Sequence, residues 1–200
     1  MSLSAEERRR RESIVTDQWG GIVPTYEAFY LESICYTSGR AVAAFERFDA
    51  AVAAKLGSDE IVAAVQEAMT HVAGLSRFFW PPRKDKIAEA RGKRLRAAFG
   101  LSDDSPLQSR ELRNALEHFD ERLDKFLLED HVGYFFPSAM VDDASLSEES
   151  IGHIFRLVDP KTSSFVLLGE KYSFLELRPI IEAIGKKALT HSRRGGRLPE

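Results

Sequence analysis

The sequence predicts a mainly α-helical protein, a bundle of about five helices followed by a small C-terminal β-hairpin and helix. Apolar residues recur every three or four positions through most of the first 130 residues, the spacing of helices that bury one face. After residue 130, Gly, Pro, Ser and Asp become frequent, and two short β-leaning segments flank a turn. We therefore expect an N-terminal helix or arm at 1–23, a helical bundle at 24–130, and a C-terminal part at 131–200 that packs on the bundle.

The composition is typical of a globular protein, because 44% of the 200 residues are hydrophobic and 30% are charged. The formal net charge of −3 excludes a surface that is basic throughout, so nucleic acid could bind only at a local basic patch. The N-terminus shows no secretory signal, and no apolar run approaches the roughly 18 residues of a membrane span. We expect a cytoplasmic protein that does not bind membranes.

The sequence contains no motif that is typical of a metal or cofactor site. Cys35 is the one cysteine, which excludes an internal disulfide and a cysteine-based zinc site. The chain has no Gly-rich phosphate loop, no acidic metal cluster and no Gly-x-Ser-x-Gly elbow. We expect neither a metal nor a cofactor, and we interpret Cys35 as a small hydrophobic residue of the core.

Two of the early helices have clear start or stop signals. The first is expected at 4–17, where Ser4 and Glu7 form a capping box. The other is expected at 60–79 and ends before the Trp-Pro-Pro segment at 80–82, since a residue that precedes proline disfavours the helical conformation.

Between them, the segment 25–56 predicts one long helix or two in sequence. Gly39 is the natural kink or break within it. Aromatic residues near its start, including Tyr26 and Phe29, lie at the spacing of a buried helix face. We therefore assign them to the core rather than to a cofactor site.

The most basic segment of the chain follows at 83–100, and its apolar stripe is short. Its candidate phosphate-binding residues are Lys84, Lys86, Arg91, Lys93, Arg94 and Arg96. They could form the local patch that an RNA-binding protein of net negative charge needs. The alternative is a solvated helix whose charge is balanced by Asp85 and Glu89, and the sequence leaves both open.

The clearest helix is expected at 105–130, where Ser105 can cap the first turn and Pro106 suits the first helical position. Apolar residues then follow one another at alternating steps of four and three, which places them on one stripe of the helix. The stripe consists of Leu112, Leu116, Phe119, Leu123 and Phe126.

The opposite face of this helix is polar and carries the candidate chemistry of the chain. Arg113 and His118 are five residues apart, so their directions differ by about 140° and they occupy two flanks of that face. Asn114, Glu117 and Glu121 lie between them. A ligand that lies across this face can contact both flanks, and so can the same helix of a second subunit.

The remainder of the chain is expected to be a loop at 131–149 and a hairpin formed by 151–158 and 163–174. A hairpin alone is only marginally stable, so we expect it to dock on the bundle or on a partner. A helix follows at about 175–189, and the last ten residues are expected to be a mobile tail.

The segment 113–118 (RNALEH) fits a short motif: an arginine, a polar residue, three further residues and a histidine. In this it resembles the HEPN superfamily, small helical bundles of prokaryotic toxin–antitoxin, abortive-infection and CRISPR systems. The run at 117–123 is also similar to an uncharacterised HEPN-like bacterial subgroup. Many nuclease members carry a tyrosine two residues after the histidine, where this chain has Asp120.

The resemblance implies a metal-independent endoribonuclease that works as a homodimer, with two copies of the motif across one cleft. His118 would then move a proton to or from the ribose hydroxyl or the leaving oxygen, and Arg113 would pair with the scissile phosphate. Asn114 would orient the phosphate or the histidine. Glu117 and Glu121 would orient the catalytic side chains without contacting the substrate, with Glu117 one helical turn from Arg113.

A non-enzymatic alternative stays open at this point. The face from Arg113 to His118 could be a solvated surface, or a seam that binds a second subunit or a cognate antitoxin-like protein. Binding of a small phosphorylated ligand without turnover is a third possibility. An open basic cleft would favour the nuclease, whereas a face lined by carboxylates alone would favour partner binding.

Overall fold

The computed structural model describes residues 3–83, 85–109, 111–129, 133–148 and 152–198; for Leu112 and Arg113 it describes the backbone alone. The helices of this part are α1 (Ala5–Ser13), α2 (Glu27–Ala53), α3 (Ser58–Phe79), α4 (Lys86–Phe99), α5 (Glu111–Glu117), α6 (Phe119–Glu129) and α7 (Leu177–Arg193). The strands are β1 (Tyr134–Val141), β2 (Gly152–Asp159), β3 (Ser164–Leu167) and β4 (Glu170–Ser173). The prediction of a mainly α-helical protein is confirmed, but the β structure is larger than a hairpin.

The four strands form one sheet in the order β1-β2-β3-β4. β1 is parallel to β2, whereas the other pairs are antiparallel. The predicted loop at 131–149 is therefore wrong, because β1 lies within it. The predicted second strand is also wrong in detail: it is two strands, and Leu168 and Gly169 turn the chain between them with φ angles of +51° and +75°.

The helix α2 runs without a break past Gly39, so the segment is one long helix rather than two. A glycine inside a helix costs about 1 kcal/mol, which is small beside the packing of a helix that contacts both α3 and α7. The prediction that Tyr26 and Phe29 are core residues is also wrong, since they are 57% and 71% exposed. The core face of α2 begins with Leu31 and Ile34, which are fully buried.

One hydrophobic core includes residues of α2, α3, α7 and the sheet. Phe174, which precedes α7, stacks on Phe45 and meets Phe48 edge-on, with ring centroids 5.7 and 5.6 Å apart. A second, smaller cluster lies on the other side of the sheet, beneath the short turn Ala144–Glu148. Within the described residues, no helix combines the length and the apolar character needed to cross a membrane.

A buried carboxylate joins the start of α2 to α4 and to the C-terminal segment. Glu27 is 1% exposed and forms ion pairs with Arg94 of α4 and with Arg197. Its Oε2 atom also accepts a hydrogen bond from the backbone N–H of Leu198, at 3.0 Å. The expected mobile tail is therefore wrong over 191–198: α7 reaches Arg193, and Leu198 is buried.

These partners set the charge state of Glu27. Burial alone would raise the pKa of its carboxyl group, but the hydrogen bonds from Arg197 and Leu198 and the charge of Arg94 outweigh burial. The pKa is therefore lower in the folded protein than in the unfolded chain. Its contribution to stability is complete above the unfolded pKa and is lost as the pH falls through the folded pKa.

We expect Glu27→Gln to lower the free energy of unfolding by about 3 kcal/mol at pH 7, because two guanidinium groups lose a buried counter-charge. The loss should shrink as the pH is lowered toward the range where Glu27 itself is protonated. Denaturant titrations at several pH values measure it. Glu46→Gln is the control, since Glu46 is exposed on the same helix and has no ion pair with any described residue; equal effects of the two variants would contradict the prediction.

Gly39→Ala should raise the free energy of unfolding by about 0.8 kcal/mol, because alanine favours a continuous helix and its Cβ would meet no atom within 4 Å. Gly92→Ala in α4 should instead lower the free energy of unfolding, since the added Cβ would lie 2.7 Å from the carbonyl oxygen of Phe79. Thermal or denaturant unfolding separates the two variants. A loss of stability in Gly39→Ala would mean that α2 is not a regular helix at this residue.

Candidate functional site

The predicted central helix at 105–130 is two helices, which is a correction to its expected continuity. After a short turn at Pro106–Gln108, α5 ends at Glu117 and α6 begins at Phe119, with His118 at the junction. The backbone hydrogen bonds continue across it: the N–H of His118 donates to Asn114 and the N–H of Arg122 donates to His118, both at 3.0 Å.

The two helices on either side of the junction pack against different elements. α5 lies against α3, and its Ala115 is buried in the main core. α6 lies on the sheet, where Phe126 meets Phe155 edge-on with centroids 5.5 Å apart. The apolar side of the segment therefore packs on α3 before the junction and on the sheet after it.

His118 is exposed at this junction. Its side chain is 56% exposed, and its Nδ1 atom lies 3.6 Å from Oε2 of Glu121 on the next turn. The other ring nitrogen, Nε2, has no polar partner among the described residues. An imidazole with a carboxylate on one side and solvent on the other is suited to exchanging a proton with a ligand.

The remaining predicted site residues have different surroundings. Asn114 is partly buried on α5. Arg113 belongs to α5 by its backbone, and its side chain lies outside the described residues. Its placement relative to His118 thus stays a prediction.

Glu117 has a partner that was not predicted, Arg77 in the last turn of α3. The two side chains form an ion pair that ties α5 to α3. The expected support of Arg113 by Glu117 therefore competes with a cation from another helix. Sequence reasoning missed Arg77 because the two residues are 40 positions apart and no local spacing indicates their contact.

The helix α6 is held on the sheet by a second polar cluster. Arg122 Nη1 lies 2.6 Å from Oε2 of Glu170 on β4, and the hydroxyl of Tyr172 donates to the same carboxylate. Burial and the neighbouring Glu170 raise the pKa of Tyr172, so its hydroxyl stays protonated and keeps donating. Nearer the junction, the guanidinium of Arg156 lies over the ring of Phe119, 5.2 Å from its centroid.

The predicted basic patch is divided by the fold. Arg94 binds Glu27 and donates to the backbone oxygen of Trp19 at 2.7 Å, so its charge is used inside the protein. Arg96 donates to the backbone oxygen of Phe79 at 2.6 Å, and its charge pairs with Asp103. These two arginines hold the fold together rather than presenting cations to a ligand.

The other residues of the patch differ from these. Lys86 and Lys93 are exposed, Arg91 is partly buried, and none of the three forms an ion pair with a described residue. Lys84 lies outside the described residues. Asp85 was considered as a carboxylate that balances the charge of these cations. In the structure it caps α4 instead, because its Oδ1 accepts a hydrogen bond from the N–H of Ala88.

Comparisons of the chain with models of known protein families, with curated proteins and with solved structures found no match. The resemblance of the segment 113–118 to the HEPN superfamily therefore stays a prediction. Within the described residues, no group of three or more His, Cys, Asp or Glu side chains is placed to hold a metal ion.

We expect a double-mutant cycle of Arg77→Ala and Glu117→Ala to give a coupling energy of about 0.2–1 kcal/mol, the range for partly exposed ion pairs. The side chains are 45% and 36% exposed, so the coupling should weaken as salt is added. Denaturant unfolding of the four proteins measures it. The exposed pair Lys125–Glu129 on α6 provides a comparison cycle within one helix; a zero coupling for Arg77–Glu117 at low salt would contradict the contact.

Proposed function

We propose that this protein is a HEPN-like, metal-independent endoribonuclease of the toxin–antitoxin or defence type, acting as a homodimer. The observation that carries the proposal is the exposed imidazole of His118, whose Nδ1 lies 3.6 Å from Oε2 of Glu121. The carboxylate of Glu121 lies beside the ring and can orient it toward a substrate. Arg113 lies in the same polar segment of sequence, five residues earlier.

In the proposed reaction, the ribose 2′-oxygen attacks the adjacent phosphorus, the new O2′–P bond forms, and the bond to the 5′-oxygen breaks. The 2′-hydroxyl gives up one proton and the leaving 5′-oxygen gains one, so the products are a cyclic phosphate and a free 5′-hydroxyl. His118 handles one of these protons, and a second copy of the chain supplies another imidazole for the other. Arg113 neutralises the phosphate oxygens as negative charge increases on them.

The surroundings of Glu117 support this assignment. A free carboxylate one residue from His118 would repel a phosphate chain, but the guanidinium of Arg77 offsets its charge. Asn114, on the preceding turn, can orient the phosphate or the imidazole. Glu121 acts through His118 rather than on the substrate.

A second candidate is the non-enzymatic module, whose face from Arg113 to His118 binds a partner protein. The specific observation in its favour is the surface of α6: Asp120 and Asp124 are exposed, and Leu127 and Leu128 are 40% and 71% exposed further along. Carboxylates beside apolar residues suit a protein surface with basic and apolar groups, such as a cognate antitoxin-like protein, better than they suit RNA.

The test is cleavage of a mixed RNA pool in the presence of EDTA by the wild type, Arg113→Ala and His118→Ala. We expect cleavage by the wild type and at least a 100-fold lower rate in both variants, because each removes a group that acts in the transition state. His191→Ala is the matched control, since His191 lies on α7. Light scattering on the same samples measures whether each protein is a dimer.

The outcomes separate the two candidates. Loss of cleavage in both variants with the dimer intact supports the nuclease. Absence of cleavage by the wild type, or equal rates in all four proteins, contradicts it and favours the partner-binding surface of α6. A protein that co-purifies with the wild type but not with His118→Ala would support that second candidate.

A further inference from the structure

A small cavity lies at the corner where α3 ends and α4 begins. Its volume is about 290 Å³, enough for a phosphate group, and the prolines at 81–82 form part of its wall. Three arginines also line it, one from each adjoining segment: Arg77 from α3, Arg83 from the connection and Arg91 from α4. Cations from three successive segments of the chain therefore line one concave surface.

Two of the three arginines keep an uncompensated charge, since Arg77 already pairs with Glu117. Asp85 is the one carboxylate among the lining residues, and its Oδ1 is occupied by the N–H of Ala88 at 2.8 Å. Neither Arg83 nor Arg91 has a hydrogen-bond or ion-pair partner among the described residues. The buried Nε of Arg91 is likewise without an acceptor there. A phosphate in the cavity would give the uncompensated charges of Arg83 and Arg91 an anionic partner.

The walls of the cavity are held in place before any ligand binds. Gly92 lets α4 approach the end of α3 so closely that an added Cβ would lie 2.8 Å from Pro81 Cδ. Arg96 donates to the backbone oxygen of Phe79, and the ring of Phe79 packs edge-on against Phe99 with centroids 5.4 Å apart. A site whose backbone is already fixed loses little conformational freedom on binding.

The cavity is also connected to the candidate site. Arg77 lines it and at the same time forms the ion pair with Glu117, the residue before His118. A phosphate in the cavity would therefore lie beside the polar segment of α5. Of the basic residues predicted from the sequence, Arg91 is the one that lines this cavity in the described structure; Arg77 and Arg83 were not predicted.

We propose that the cavity formed by Arg77, Arg83 and Arg91 binds a backbone phosphate of an RNA strand, adjacent to the phosphate that is cleaved. The assignment of the phosphate to RNA rests on the proposed function. The binding of a phosphate group as such does not, because it depends only on the arginines that line the cavity.

The first measurement uses inorganic phosphate as the probe. Phosphate is titrated at low ionic strength into full-length ¹⁵N-labelled protein, and the arginine Nε–Hε signals are followed by NMR. We expect a saturable shift of the Arg91 signal in the wild type and at least fivefold weaker binding in Arg83→Glu. Arg83→Glu changes one exposed residue, so it does not disturb the core.

Arg83→Ala/Arg91→Ala extends this test, and its binding is followed through the Arg77 signal. The matched control is Arg193→Ala/Arg194→Ala, which removes the same charge from exposed residues at the end of α7. A saturable response that is equally strong in the double variant and in the control would overturn the cavity as a phosphate site. So would the absence of a saturable response in the wild type.

The second measurement uses a labelled single-stranded RNA and the His118→Ala protein, so that binding is followed without cleavage. Adding Arg83→Ala/Arg91→Ala should weaken RNA binding about tenfold. It should also reduce the slope of log affinity against log salt by about 0.7 for each lost phosphate contact. Weaker phosphate binding with unchanged RNA affinity would overturn the assignment to RNA. RNA binding that depends on the arginines without cleavage by the wild type would support the cavity and contradict the nuclease.

Discussion

The buried carboxylate of Glu27 is the constraint on which the arrangement of the bundle depends. A charge with 1% exposure is tolerated only when cations and hydrogen-bond donors surround it, so the positions of Arg94 and Arg197 are not free to vary. Arg94 fixes where α4 lies against the start of α2. Because Arg91 is one turn earlier on α4, the same constraint positions the cation that lines the cavity beside α3.

The arginines of this chain therefore have two kinds of role that their sequence spacing does not distinguish. Arg94 and Arg96 lie within the most basic segment, yet both bond to backbone oxygens and carboxylates of the protein itself. Arg77 lies outside that segment, on α3, a helix that was predicted from its apolar face. Its side chain pairs with Glu117, and the residue also lines the cavity. Burial and the available acceptors decide which guanidinium remains open to a ligand.

Periodicity predicted the helices α2 and α3, because each buries one face against its neighbours and apolar spacing records that directly. It could not predict β1, whose partner β2 is parallel and joined by a long connection, so no turn signal links the two. It also could not predict that the helix is interrupted at His118. The stripe of apolar residues is continuous in sequence, but α5 packs on α3 and α6 packs on the sheet.

In the candidate site too, contacts within one helix could be predicted from the sequence, whereas contacts between distant residues could not. The type and exposure of His118 could be inferred from one helix face, and its neighbour Glu121 follows from a spacing of three. The pairing of Glu117 with Arg77 could not be inferred, and it alters the electrostatics of the site, since it removes an uncompensated negative charge beside the imidazole. A protein of net charge −3 can bind a phosphate chain only where such local compensation occurs. In the proposed phosphate site at the corner of α3 and α4, three arginines and the carboxylate of Asp85 line a cavity next to the segment that carries His118.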